Sequence, residues 1–349
     1  MDKSSEMNSR ITLLYIGNKL SKHGLSLSNV ETLGKQLGYT YNIITVSDKK
    51  NKLLRLLDMI WSIIRDRKKV SLILIDTFST SSFYYAFICA YVASIMKLPY
   101  IPILHGGNLP FRLKNNKKMS RFLFGNAARN VAPSKYLQHA FKKYGFGTIY
   151  IPNNIDITKY PYKKRVVISP HLLYVRALDK IYNPTMAVDV LANVMEVYPE
   201  AVLCMVGPDK DGSLVEVLER AKQLGVEKQL TITGKLEKEV WVKLSENYDI
   251  FINTTNYDNQ PVSVIEAMAL GFPIVSTNAG GLPYLITDGH DGLLVDKNEV
   301  TAMSEKIKYL LRNSSVTRKL SVNARKKAEL FDWQSVRKKW EDLIENKEK

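Results

Sequence analysis

The stretch DIFINTTNYDNQPVSVIEAMALGFPIVSTNAGGLPYLITDGHDGLLV (249–295) contains three short apolar runs, at 249–255, 272–277 and 292–295. A helix-length apolar segment, 262–270, lies between the first two. Runs of this length without polar alternation read as strands buried on both faces, and a helix between two of them implies a parallel crossover. The same rhythm continues upstream through HLLYVR (171–176), AVLCMVG (201–207) and LTITG (230–234), with helices expected at 184–198, 213–224 and 238–247. It had already run once, in ITLLYIG (11–17), YNIITV (41–46), SLILID (71–76), YIPILHG (100–106), NVAP (130–133) and TIYIPN (148–153), with helices at 28–37, 52–65 and 134–144. Two successive β-α sets predict an α/β chain of two doubly wound, parallel-sheet domains. The polar, proline-containing NNIDITKYPYKKR interrupts the pattern, which places domains at 1–160 and 161–330. A long amphipathic helix, FDWQSVRKKWEDLIE, follows within 331–349.

Composition agrees with this reading and narrows the function. The 349 residues suit two domains, and 45% hydrophobic with 24% charged residues excludes a largely disordered chain. Two cysteines, Cys89 and Cys204, lie far apart in apolar runs. They exclude a cysteine-rich zinc site and suggest a reducing, cytoplasmic setting. The start, MDKSSEMNSR, is polar, and the apolar run after it is too short for a signal peptide. Residues 77–96 carry no charge, but five Ser/Thr at their front end make them a buried helix rather than a membrane span.

Charge is divided unevenly. Residues 1–160 hold 24 Lys/Arg against 8 Asp/Glu, whereas 161–349 hold 26 of each, so the whole net charge of +16 belongs to the first half. No nucleic-acid-binding motif accompanies it. An anionic membrane surface is the expected partner, and nucleic acid is not.

In open α/β sheets, ligands bind beyond the carboxyl ends of strands. After the strand at 249–255, Pro261 stands where a helix begins, so the N–H groups of Val262, Ser263 and Val264 are expected to face an anion such as a phosphate. Asp258 precedes that helix. Glu266 lies within it among apolar neighbours, and a buried carboxylate needs a partner. Gly280 and Gly281 allow close approach of backbone to a ligand. Asp209-Lys210-Asp211 has a D-x-D form, but its Gly-Pro setting explains it as a turn. The DGHDG at 288–292 is another turn, too short for a calcium loop.

The stretch D-NQPVSVI-E-AMALGFPIVSTNAGG resembles the donor-binding signature of family 4 retaining glycosyltransferases (glycosyl transferases group 1), in which two Rossmann-like domains of the GT-B fold face each other across a cleft. Asp258 stands where the family more usually has a glutamate. The resemblance extends over nearly the whole chain. It implies that Glu266 binds the nucleotide ribose, that Asp258 and the backbone after it hold the sugar and diphosphate, and that Arg176, in LLYVRALDKIYNP, meets the donor phosphates. The family's lysine-glycine pair is replaced by Tyr182 and Asn183, so a second cation would have to come from Lys180. Tyr284 replaces a frequent glutamate. The loop around Lys235 and Leu236 would pack on the nucleobase, and the tail helix would cross back to the first domain.

In the first half, GNKLSKHGLS (17–26), with Gly17, His23 and Gly24, resembles the family's acceptor-side loop. His105, at a strand end and followed by Gly106 and Gly107, is a candidate contact to donor sugar or acceptor hydroxyl, since imidazole can donate or accept a hydrogen bond. The resemblance implies an enzyme that moves a sugar from a nucleotide-diphosphate sugar to a glycan or lipid-linked acceptor, without metal or other cofactor. The bacterial surface-polysaccharide type is expected, cytoplasmic and peripheral at the inner membrane face. The alternatives are an isomerase of the nucleotide-sugar 2-epimerase kind and a non-catalytic nucleotide-sugar-binding protein.

Overall fold

A computed structural model describes residues 11–24, 27–165 and 167–345. The polar start at 1–10 and the end of the 17–26 loop, Leu25 and Ser26, lie outside the described residues. Among the described residues, twelve strands form two six-stranded sheets, and the chain divides into two compact units, Met1–Ile151 and Pro152–Lys349.

The first unit contains β1 (Thr12–Ile16), β2 (Asn42–Val46), β3 (Leu72–Thr77), β4 (Tyr100–Leu104), β5 (Val131–Ala132) and β6 (Ile149–Tyr150). They are all parallel, in the order β2-β1-β3-β4-β5-β6. Its helices are α1 (Asn29–Leu37), α2 (Lys52–Asp66), α3 (Ser82–Ile95), α4 (Leu109–Asn115), α5 (Lys117–Gly125) and α6 (Lys135–Lys143). The uncharged segment has become α3, as its polar front end predicted. No described helix is long and apolar enough to cross a membrane.

The second unit contains β7 (His171–Val175), β8 (Val202–Val206), β9 (Leu230–Gly234), β10 (Ile250–Asn253), β11 (Ile274–Thr277) and β12 (Leu293–Val295), parallel in the order β12-β11-β10-β7-β8-β9. Its helices are α7 (Pro184–Met195), α8 (Ser213–Leu224), α9 (Lys238–Leu244), α10 (Val262–Ala269), α11 (Leu282–Leu285), α12 (Val300–Arg312), α13 (Ser314–Glu329) and α14 (Trp333–Ile344). The core lies on both faces of the sheet: Leu172, Tyr174 and Val188 belong to one apolar cluster, Leu173, Phe251 and Phe272 to another.

The division falls at Ile151, ahead of the expected 160/161. Residues 152–160 read as linker because they are polar, yet their few apolar side chains pack into the second unit, Ile155 and Tyr160 buried and Ile157 partly so. Ile155 donates its N–H to Phe331 O (2.9 Å), and Tyr160 joins the Phe251 cluster. Helix α14 belongs to the second unit as well.

In each sheet the strand order reverses at one point: between β1 and β3, and between β7 and β10. There the crossover helices leave in opposite directions and the carboxyl ends of the strands open a crevice. Both sets of candidate residues stand at these two points.

Candidate functional site

Arg176 directly follows β7, and its N–H donates to Val206 O of β8 (3.0 Å). Gly207 packs against the Arg176 carbonyl, so closely that a Cβ there would stand 2.0 Å from it. The guanidinium lies over the Tyr182 ring, 4.1 Å from its centre, and Nη2 donates to Asp258 Oδ2 (2.5 Å). Burial alone would lower the Arg176 pKa. The Asp258 carboxylate, with Tyr182 and Tyr174, outweighs burial and holds it above the usual guanidinium value. Its Nε is buried without a hydrogen-bond partner.

Tyr182 is held in place from β10. Thr254 Oγ1 donates to the carbonyls of Tyr182 (3.0 Å) and Asn183 (2.8 Å), and Asn256 N donates to Ile181 O (2.9 Å). Where the family pattern has a lysine, this chain therefore places an aromatic platform under its arginine. Lys180 does not replace that lysine. Its ammonium pairs with Glu216 at 2.7 Å on the surface, because the short turn at Lys180–Tyr182 directs it outward.

The loop after β10 leads from Asp258 into α10. Pro261 is the residue capping this helix and not its first turn, and Val264 N already donates to Pro261 O (3.2 Å). Of the three expected anion-facing amides, Val264 is thus used inside the helix. Those of Val262 and Ser263 make no hydrogen bond among the described residues. Gly280 and Gly281 also have a different task from the expected one. A Cβ at Gly280 would stand 2.1 Å from Asp258 O, and one at Gly281 1.6 Å from Asn259 O, so the pair admits the 258–259 backbone and not a ligand. Gly281 N donates to Asp258 O (2.9 Å), which fixes that loop.

Glu266 is buried, as its apolar neighbours predicted, but its partners come from the protein. Tyr160 Oη donates to Glu266 Oε1 (2.7 Å), and Lys238 Nζ reaches the same oxygen. Burial, and then the adjacent carboxylate, push the Tyr160 pKa well above the usual phenol range, so its hydroxyl remains a donor. Tyr160 lay in the presumed linker and Lys238 on an ordinary amphipathic helix; neither carried a signal in the sequence. Lys235 is within 3.9 Å of Glu237, in the loop after β9. Tyr284 is half exposed.

In the first unit, His105 follows β4 and Asp76 lies near the end of β3. His105 Nε2 donates to Asp76 Oδ1 (2.7 Å), which also accepts from Tyr15 Oη (2.9 Å). Asn29 Nδ2 donates to Tyr15 Oη (3.2 Å), and the Phe78 ring stacks on His105 with centres 5.0 Å apart. A neutral imidazole that gives its Nε2 proton to a carboxylate presents Nδ1 as an acceptor. Gly17 makes room for this group: a Cβ there would stand 2.5 Å from Asp76 Oδ2, itself buried and without a hydrogen-bond partner. Gly106 packs in the same way against Ser79 N (2.5 Å), and Gly107 follows, partly buried. His23 is not part of the cluster. It is exposed, bonded to Asp48 O (2.9 Å), and Gly24 closes that turn with φ 81°.

The two turn readings are matched by geometry. Asp209 Oδ1 accepts from Gly212 N, and Asp211 accepts from Lys180 N and Ser213 Oγ. Asp291 accepts from Thr287 N and pairs with Lys327 at 2.5 Å.

Residues 163–327 match the family model for glycosyl transferases group 1. The match covers all six strands of the second unit's sheet and also Arg176, Asp258 and Glu266. An uncharacterized glycosyltransferase of Methanocaldococcus jannaschii is 23% identical over 272 residues, 74% of each chain. Other curated relatives align over only 21% to 46% of their own length. Among solved structures, Anabaena HepE in complex with UDP-glucose is similar at a TM-score of 0.77 and 18% identity, covering 96% of this chain and all of that one. Sucrose-phosphate synthase of Thermosynechococcus elongatus is similar at 0.80 and 16% identity, covering 97% and 99%. These likenesses show the fold. It is GT-B.

Proposed function

We propose that the chain is a glycosyltransferase that moves a sugar from a nucleoside-diphosphate sugar to an acceptor hydroxyl, with retention of configuration and without a metal. One observation carries the reading. At the reversal point between β7 and β10, a positioned guanidinium pairs with the Asp258 carboxylate, and the loop that carries Asp258 leads into the helix whose first amides, Val262 and Ser263, are unbonded among the described residues. The family match spans all of them, and the neighbour HepE was solved with UDP-glucose. In this reading, a diphosphate competes with Asp258 for Arg176 and takes up the N-terminal end of α10, and Asp258 is released to accept from a sugar hydroxyl. Glu266 accepts from the nucleotide ribose.

The chemical step breaks the bond between the anomeric carbon and the diphosphate oxygen and forms one to the acceptor oxygen. The acceptor's proton passes to the departing phosphate on the same face. Arg176 and the helix amides stabilise the charge that develops there, which is the main catalytic contribution in such a site. The first unit supplies the acceptor side, with His105 held by Asp76. That pair favours one second reading: an acceptor proton taken by His105 Nδ1, with inversion at the anomeric carbon.

A bacterial surface-polysaccharide acceptor, glycan or lipid-linked, and a cytoplasmic site at an anionic membrane face complete the proposal. The charge asymmetry supports it.

The test is a thermal-shift screen against UDP-, GDP- and ADP-sugars and their nucleotides, with and without EDTA. A ligand at 100 times its dissociation constant adds about 2.7 kcal/mol. We expect one nucleotide class to raise the midpoint, unchanged by EDTA and lost in Arg176→Gln. No shift with any of them would reduce the conclusion to the fold. NMR of the product's anomeric centre then separates retention from inversion.

A further inference from the structure

Helix α2 is amphipathic in the wrong sense for a surface helix. Its inward face includes Arg55, Ser62 and Asp66, all buried, beside Met59 and Ile63. Its two charged groups are paired: Arg55 donates to Asn18 Oδ1 (3.0 Å) and to the carbonyls of Lys49 and Lys50 (2.8 Å each), and Asp66 pairs with Arg65. The outward face is apolar. Leu53, Leu57 and Trp61 recur every fourth residue with Leu54 beside them, and all four are more than half exposed. Single exposed leucines are ordinary; four large apolar side chains on one helical stripe are not.

Basic residues flank the stripe at both ends. Lys50 and Lys52 precede it, and Arg67, Lys68 and Lys69 follow, all exposed and none ion-paired among the described residues. Helix α3, which packs against α2, carries further exposed apolar residues, Tyr84, Tyr91 and Ile95.

We propose that the outward face of α2 inserts into the headgroup layer of an anionic lipid membrane. This rests on the membrane part of the proposed function and gives it an atomic site. A helix lying in the interface needs an apolar stripe to bury and basic residues to meet lipid phosphates, and α2 supplies both. Tryptophan favours that depth, having an apolar body and one N–H donor. A second copy of the chain fits less well, because apposing two such faces would bring ten unpaired cations together.

The experiment is co-sedimentation of the full chain with phosphatidylcholine vesicles, with and without roughly one-third phosphatidylglycerol. Its variants are L53S/L57S/W61S and K50Q/K52Q/K68Q/K69Q; all seven side chains are exposed, so folding is retained. We expect binding only to the anionic vesicles and at least about tenfold weaker partitioning in either variant. Brominated lipid should quench the tryptophan emission of the wild type and not that of W61F. Salt-sensitive binding that the triple-serine variant retains in full would overturn insertion and leave electrostatic attachment standing. A concentration-dependent dimer that the triple-serine variant abolishes would assign the face to a second copy. Because the nucleotide thermal shift needs no vesicles, failure here is distinguishable from failure of the donor site.

Discussion

Glu266 has a structural task in the protein, and the proposed function gives it a second one. Its carboxylate holds the hydroxyl of Tyr160, which has no other acceptor among the described residues, and also meets Lys238. Removing it has two separable effects. Glu266→Ala leaves the Tyr160 hydroxyl buried and unpaired and should cost about 1–3 kcal/mol of stability in chemical denaturation. Glu266→Gln keeps an acceptor for Tyr160 and should cost less than about 1 kcal/mol, yet lose roughly tenfold in nucleotide affinity, since a charged acceptor binds a ribose hydroxyl more strongly. A glutamine variant with unchanged nucleotide affinity would make Glu266 a purely structural residue. Lys238 is half exposed, so its ion pair adds little to either number.

At the level of elements, the glycines at strand ends position side chains that they do not touch. Gly207 sets the approach of β8 to the Arg176 carbonyl, and Gly281 sets the turn that fixes the Asp258 loop. Gly281→Ala would force a Cβ into backbone at 1.6 Å, with no side chain able to yield. We expect a loss of about 2 kcal/mol or more, together with nucleotide binding, because the loop must shift. Gly225→Ala is the control. Gly225 ends α8 at φ 69° with nothing within 4 Å, so the cost should be about 1 kcal/mol with binding intact. Gly281 has an ordinary backbone φ of −86°, so a small loss in Gly281→Ala with binding intact would show that the 258–259 backbone yields to the added Cβ.

The contrast also marks what was legible in the sequence. Every strand was readable: the central ones, buried on both faces, leave uninterrupted apolar runs, and the half-exposed edge strands β2, β6 and β9 still lie in short runs rich in β-branched residues. Arg176, Asp258 and Glu266 were readable as strand-end and helix residues of a known pattern. Asp76, Tyr15 and Tyr160 were not, because their partners lie 29 to 106 residues away and only the tertiary fold joins them. The Gly280-Gly281 pair was visible, but its tight neighbour was not: a glycine marks close approach without saying what approaches.

For the molecule as a whole, the separate cores make a prediction about cooperativity. Leu14, Ile73 and Phe124 belong to a cluster wholly within the first unit, whereas the clusters around Leu172 and Phe251 lie wholly within the second. Each unit is of a size that buries its own core, and domains of this kind unfold as separate cooperative blocks unless a large apolar interface couples them. The charge division sharpens the distinction: the first unit's excess of lysine and arginine repels itself, while the second is balanced. Calorimetry at low salt should therefore resolve two transitions, the lower belonging to residues 11–151. Added salt should raise that one by screening, and a nucleotide that binds at the proposed site beside Arg176 should raise only the other, by linkage. A single transition with equal calorimetric and van't Hoff enthalpies, displaced as a whole by nucleotide, would mean that the two cores unfold as one.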